Sequence, residues 1–255
     1  MGGPIPDTAW VRSAREDLCE YTGLAPESVD RYFRRDRGYR LKNEFHAYGP
    51  RDEKELRWFY RSNRTYVLRT ACLPYWEKID RVLRPGMRIL DYGGGAGGIA
   101  LELARRGFDV SYLDIGVLNM DFVRFRARKH KVDIKVIDPF VEKDGKMVMD
   151  PIDCVQGEYD LIILKDTLEH IPEYERTLRH LARRLAPGGI ILENTPFKRK
   201  KKRKLEGLRR LFSRKGGLTL HLPEKTPIAV ILADYGIEPV DTGIWKAPAA
   251  GVARS

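Results

Sequence analysis

Residues 89–98 read Ile89-Leu-Asp-Tyr-Gly-Gly-Gly-Ala-Gly-Gly98, and this stretch decides the fold. An apolar run beginning at Met87 enters a turn built almost wholly of glycine, and a helical pattern leaves it over Gly97–Arg106, ending at Gly107. Glycine has no Cβ, so the backbone can turn tightly and a bound molecule can approach it closely. A strand that runs through such a turn into a helix starts a β-α unit. The same alternation continues downstream. Strands are expected over Val110–Asp114, Ile134–Ile137, Tyr159–Leu164, Ile190–Asn194 and Ile237–Val240. Helices are expected over 117–130, about 173–185 and Thr226–Tyr235. The strands are nearly continuous apolar runs, as in a parallel sheet covered on both faces. The expected fold is α/β, a Rossmann-like doubly wound, mostly parallel sheet with an N-terminal helical cap. Such sheets bind ligands beyond the carboxyl ends of their strands, where the strand order switches.

Upstream, Arg84-Pro85-Gly86 is a turn signal that divides the chain. Residues 1–84 read as a helical cap, with helices over 7–20, 27–36 and 52–83, the last broken at Pro74. Residues 85–255 read as the ligand-binding domain, with a basic insert over 198–225. In the cap, Trp58, Phe59, Tyr60 and Tyr66 have two readings, as bundle core or as the wall of a pocket for a flat acceptor. Arg61, Arg64 and Arg69 read either as a solvated face or as a receiver for an acidic group.

The chain has 255 residues, enough for one α/β domain and a modest addition. No stretch of 18 apolar residues predicts a transmembrane helix. The N-terminal residues match neither a secretory signal nor a myristoylation pattern. Three scattered cysteines, Cys19, Cys72 and Cys154, suggest no disulfide framework and no zinc cluster. The expected location is the cytoplasm, with the membrane surface as a peripheral alternative. The net charge of +11 is not spread evenly: residues 198–215, KRKKKRKLEGLRRLFSRK, carry a net +10, leaving +1 for the rest.

The glycines fit D-x-G-x-G-x-G through Asp91, Gly93, Gly95 and Gly97, and equally the dinucleotide spacing G-x-G-x-x-G. Asp91 separates the two. A carboxylate there would repel a pyrophosphate but favours a sulfonium and an amino group. Asp114, ending the second strand, suits a ribose diol.

With these residues in view, the chain resembles the class I S-adenosylmethionine (SAM)-dependent methyltransferases. The glycine turn looks like their first motif, and Asp114 matches their ribose-binding acid. Tyr159-Asp-Leu-Ile-Ile-Leu-Lys-Asp-Thr-Leu-Glu-His-Ile-Pro172 is similar to their fourth strand and the stretch after it. Leu185-Ala-Pro-Gly-Gly-Ile-Ile-Leu192 is similar to their fifth. The Leu-Glu-His-Ile-Pro segment and the long insert most resemble ubiquinone-type small-molecule O-methyltransferases. The resemblance implies SAM as cofactor, held by Asp91, Gly93, Gly95, Gly97, Asp114 and Ile115. Asp138 is the candidate for the adenine edge, with Asp150 and Asp153 as alternatives. Lys165 joins the cofactor contacts, although the family usually has a small or neutral residue there.

Methyl transfer from a sulfonium is an in-line displacement, so alignment and exclusion of water matter most. A base is needed only if the acceptor carries a proton. Asp166, His170 and His221 are the candidate catalytic residues, with Glu169 beside them. Each also has a structural reading: turn capping for Asp166 and His170, a helix-start network for Glu169, lid packing for His221. No metal-ligand spacing is present. The expected reaction is methyl transfer to an oxygen, less readily a nitrogen, of a small or lipid-like acceptor. Leu205, Leu208, Leu211 and Phe212 give the basic insert one apolar helical face. It reads as a solvated loop, as a membrane-surface anchor, or as a contact for RNA or a phosphorylated substrate. The competing classes are a nicotinamide-dependent oxidoreductase and a non-catalytic nucleic-acid or membrane-binding module.

Overall fold

The computed structural model describes residues 9–35, 75–197 and 224–250, together with Glu55, Phe59 and Ala71. Two helices open it, α1 (Ala9–Thr22) and α2 (Pro26–Arg35). A 3-10 turn, Glu77–Arg81, leads into the sheet, and a second, Leu168–His170, follows the sixth strand. The alternating part runs β1 (Arg88–Tyr92), α3 (Gly98–Arg105), β2 (Asp109–Leu113), α4 (Val117–His130) and β3 (Lys135–Val136). A hairpin follows, β4 (Phe140–Lys143) and β5 (Lys146–Met149). Then come β6 (Tyr159–Lys165), α5 (Tyr174–Arg183), β7 (Leu185–Asn194), α6 (Ile228–Ala233), β8 (Glu238–Asp241) and β9 (Ile244–Lys246).

Seven strands form one sheet in the order β3-β2-β1-β6-β7-β9-β8. The pairs β1–β2, β2–β3, β1–β6 and β6–β7 are parallel, and β9 runs antiparallel to both β7 and β8. The order reverses between β1 and β6, which makes the crevice above their carboxyl ends the ligand position of this architecture. Alternation along the strands feeds two cores. Leu90, Tyr92, Ile162, Leu164 and Ile191 meet α5 and α6 through Leu178, Leu181, Ile231 and Leu232. Ile89, Tyr112, Leu161, Ile163 and Leu192 meet α3 and α4 through Ala100, Leu103, Met120 and Val123.

From β1 onward the expected strands and helices are present, with shifted ends; the helix expected over 52–83 lies mostly outside the described residues, and its described end forms the 3-10 turn Glu77–Arg81. The helix expected over Thr226–Tyr235 is shorter, Ile228–Ala233, because Pro227 precedes it and the chain turns at Gly236. The strand expected from Ile190 starts earlier, at Leu185, and a bulge against Tyr159 absorbs the irregular stretch. Residues 139–158, which show no helical pattern, contain the β4–β5 hairpin. Its turn is Asp144-Gly145, both at positive φ (52° and 70°), as a two-residue hairpin loop requires. The short final strands are paired: β9 lies beside β7 and carries β8 at the sheet edge, where Pro239 removes one donor from the open side.

A third cluster joins the N-terminal helices to the sheet domain. Ala14, Leu18 and Val29 pack with Ala71, with Phe122 of α4 and with Ala96 of the glycine turn itself. Phe59, one of the cap aromatics, is buried. Trp58, Tyr60, Tyr66, Arg61, Arg64 and Arg69 lie outside the described residues, as do the basic run 198–215 and His221.

Candidate active site

The glycine turn is shaped by close approaches. Gly93 has φ +74°, and a Cβ there would overlap the Thr167 side chain from the neighbouring strand end. Gly97 has φ +72° as the residue before α3, and a Cβ would overlap Val123 of α4. Only glycine meets both demands, left-handed backbone and no side chain. The Tyr112 hydroxyl donates to the Gly95 carbonyl from beneath.

Asp114 is the polar centre of the site. Its Oδ2 accepts from Gly95 N at 2.9 Å, and its Oδ1 accepts from Gly116 N at 2.6 Å and Asn119 Nδ2 at 3.0 Å. Two carboxylate oxygens offer about four acceptor positions, so three such bonds orient the group and leave capacity for a hydroxyl. Asp91 lies differently. It is buried on the α3/α4 side of the sheet and accepts a hydrogen bond from Ala100 N in the first turn of α3. Its Oδ2 has no hydrogen-bond partner.

A pocket of about 730 Å³, partly open to solvent, lies at the carboxyl edge beside this turn. Tyr92, Gly93, Asp114 and Ile115 form one side, and Asp166, Thr167, His170 and Ile171 face them. Pro151 and Ile152, after the hairpin, close a third side. Five of the residues singled out in the sequence thus converge: Gly93, Asp114, Ile115, Asp166 and His170. Asp91, Gly95, Gly97 and Lys165 support or flank the turn without lining this pocket. Asp138 is exposed and caps its own turn, accepting from Phe140 N at 3.0 Å. Asp150 accepts from Ile152 N and Asp153 N and pairs with Lys143, so it fixes the loop that carries Ile152. Asp153 pairs with Lys143 and Arg176.

Asp166 adopts φ +50°, an uncommon conformation for a residue with a side chain. Asn194, at the end of β7, donates to its Oδ1 at 3.2 Å, and Asp166 N donates to Asn194 O at 2.8 Å. Thr167 donates its hydroxyl to Lys165 O at 2.9 Å. Asn119, Asn194, Thr167 and Ile152 were not singled out in the sequence. Only Asn119 carries a local signal, a polar residue five positions after Asp114 in the first turn of the next helix.

Glu169 is fully buried, and neither of its oxygens has a hydrogen-bond partner. The His170 imidazole lies beside it, with Nε2 3.7 Å from Oε1. Burial pushes the Glu169 carboxyl up to about 8, Asp91 up to about 7 and Asp114 up to about 6. In the unfolded chain such groups ionise near about 4. Between about pH 4 and 8 these three groups therefore hold more protons in the folded protein than in the unfolded one, and their contribution to stability falls as pH rises. Glu169→Gln removes one of these protons from the balance. Its melting temperature is expected to fall less than that of the parent protein between pH 5 and pH 8. Parallel melting curves would show that Glu169 is not the group responsible.

Among the described residues, no cluster of His, Cys, Asp and Glu is arranged to hold a metal ion. No helix among them is long and apolar enough to cross a membrane.

Comparison with known proteins gives a consistent result. The sequence pattern of a methyltransferase domain matches residues 60–242. A ubiquinone biosynthesis O-methyltransferase from Pectobacterium atrosepticum is 30% identical over 110 residues, covering 43% of each chain. The enzyme of the same name from Paramagnetospirillum magneticum is 29% identical over 136 residues, covering 52% of this chain and 50% of that one. The chain thus spans about half the length of these relatives or less. A solved SAM-dependent methyltransferase from Methanosarcina mazei is 22% identical with a TM-score of 0.38, covering 48% of this chain and 57% of that one.

Proposed function

The chain belongs to the SAM-dependent methyltransferase family, and we propose that it transfers the methyl group to a hydroxyl oxygen of a small or lipid-like acceptor. The observation that carries this reading is the convergence of Asp114, Gly93, Asp166 and His170 on one pocket at the switch point of the sheet. The names of the ubiquinone biosynthesis relatives support oxygen as the receiving atom.

The residues present fit an adenosyl cofactor. Gly93 lines the pocket without a side chain, Asp114 keeps acceptor capacity for a ribose hydroxyl, and Ile115 and Ile152 offer apolar surface to a flat base. When bound, SAM supplies a methyl group already activated on a sulfonium. The protein's own part is then to bind, align and keep water out. Asp114 holds the ribose and Gly93 lets the backbone come close. Asp91 adds negative charge beneath the turn. On the facing wall His170 takes the proton that the acceptor hydroxyl gives up, a task suited to imidazole near neutral pH. Asp166, steadied by Asn194, orients the reacting ends. Glu169, sealed away from the pocket, holds its own proton at neutral pH and is not the base in this scheme.

The basic insert 198–225 follows Phe197 and ends at Lys225. Both ends adjoin Tyr174: its ring lies 4.9 Å from that of Phe197, and its hydroxyl accepts from Lys225 N at 2.7 Å. In this reading the insert contributes to the acceptor side of the pocket. Incubation with methyl-labelled SAM and a cell extract tests it. Label is expected in the organic-soluble small-molecule fraction. Label in RNA instead would replace the acceptor class with a polyanion and give the lysines of the insert a phosphate-binding role.

A further inference from the structure

Lys165 ends β6 at the carboxyl edge, where the methyltransferase resemblance leads one to expect a small or neutral residue. On the adjacent parallel strand, Asp91 lies opposite Ile163. Lys165 is two residues further along and so projects to the same face. Strand geometry sets the two α-carbons about 8 Å apart. Neither charge has a full set of partners where it stands. Asp91 Oδ2 is buried without a hydrogen bond. The Lys165 ammonium, on a partly buried side chain, makes no hydrogen bond or ion pair among the described residues. Its neighbour is the Trp76 ring, 5.9 Å away at the centroid. Withdrawing an ammonium and a carboxylate from water without partners is costly. A ligand that carries a carboxylate and an ammonium on one carbon answers both.

We propose that Lys165 receives the carboxylate of the cofactor's amino-acid end above the Trp76 ring, with Asp91 on the neighbouring strand as counter-charge to its ammonium. The assignment rests on the SAM reading of the site. Burial lowers the Lys165 pKa, while Asp166 and Asp91 hold it up, and a bound carboxylate adds to the groups that keep it charged. The pair lies on the α3/α4 side of the sheet, and the pocket that holds Asp114 and Ile115 extends from the other side of the glycine turn. One extended ligand thereby has its nucleoside end and its amino-acid end met by different faces of the same strand edge.

The test compares two ligands by calorimetry. S-adenosylhomocysteine carries the amino-acid end; 5′-methylthioadenosine shares the nucleoside and sulfur but lacks it. Lys165→Met keeps the length of the side chain and removes the charge. It is expected to weaken S-adenosylhomocysteine about tenfold to a hundredfold, the effect of losing a hydrogen bond to a charged group, while 5′-methylthioadenosine binds as to the parent protein. Lys165→Arg is expected to restore most of the loss. Equal weakening of both ligands, or of neither, would overturn the assignment, since a merely structural lysine does not distinguish them. If the parent protein itself bound neither ligand, the cofactor reading would fall first and this inference with it.

Discussion

Asp17→Ala is expected to cost about 3–5 kcal/mol, the usual penalty for removing one partner of a buried ion pair. Asp17 on α1 and Arg126 on α4 are each about 1% exposed, and Arg126 Nε donates to Asp17 Oδ2 at 2.7 Å. His130 Nε2 approaches the same oxygen at 2.8 Å, and Lys129 Nζ lies 2.9 Å from Oδ1. Burial by itself would raise the Asp17 pKa, yet hydrogen bonds from Lys129, His130 and Arg126 hold it below the usual carboxylate range. Removing the carboxylate leaves Arg126 and Lys129 without their shared counter-charge, beside the His130 imidazole, across a packed interface that includes Leu18, Tyr21, Phe122 and Phe125. The expected fall in melting temperature is about 10 °C, with faster amide exchange across α1 and α2 than in the sheet. The double variant Asp17→Leu with Arg126→Met replaces the pair by apolar groups and is expected to recover most of the stability, because a buried pair contributes little over a packed apolar one. A double variant no more stable than the single would mean that the loss came from packing rather than stranded charge. Ala96 belongs to the same cluster, so loosening the helices also removes support from the glycine turn.

The second large effect is on the cofactor. Asp114→Ala is expected to weaken S-adenosylhomocysteine by about a hundredfold or more. The ribose would lose a hydrogen bond to a charged acceptor, worth about 1.5–3 kcal/mol. The backbone amides of Gly95 and Gly116 would lose their shared anchor as well. Calorimetry on the folded variant reads this directly, and an unchanged affinity would remove Asp114 from the cofactor site. Asp114→Asn keeps the shape but offers one acceptor oxygen instead of two, so an intermediate loss is expected.

What could be read from the chain alone was whatever is encoded within a few residues. The apolar run into Asp91, the glycines after it and the helix beyond are consecutive. Their conformational demands are local, so the first β-α unit and the sheet class are legible there. Asp114 and the segment Lys165–Pro172 end apolar strands, and strand ends of a parallel sheet share one edge, which is why their meeting could be anticipated. The Asp144-Gly145 hairpin is equally local: that dipeptide between two short strand-like runs is a strong turn signal.

Other features depend on distance along the chain. Asp17 and Arg126 are 109 residues apart, and nothing near either announces the other; only the docking of α1 on α4 makes one carboxylate the shared partner of Arg126, Lys129 and His130. Asp91 reads as a ligand contact in the sequence; packing buries it on the α3/α4 side, where the first turn of α3 gives it an amide to hold and Oδ2 stays without a hydrogen bond. Asp138 follows a strand as an adenine-binding acid would, yet the hairpin turns it to solvent and brings Pro151 and Ile152 to the pocket instead. Asn194 reaches Asp166 because β7 pairs in parallel with β6, a choice of neighbour made by the sheet as a whole. Sequence by itself determined the fold class and the strand ends that carry the chemistry, because backbone preference and hydrophobic period act over a few residues. Tertiary structure decided which side chains are sealed, which face the pocket and which charges stand without partners, because burial and pairing are properties of the packed whole.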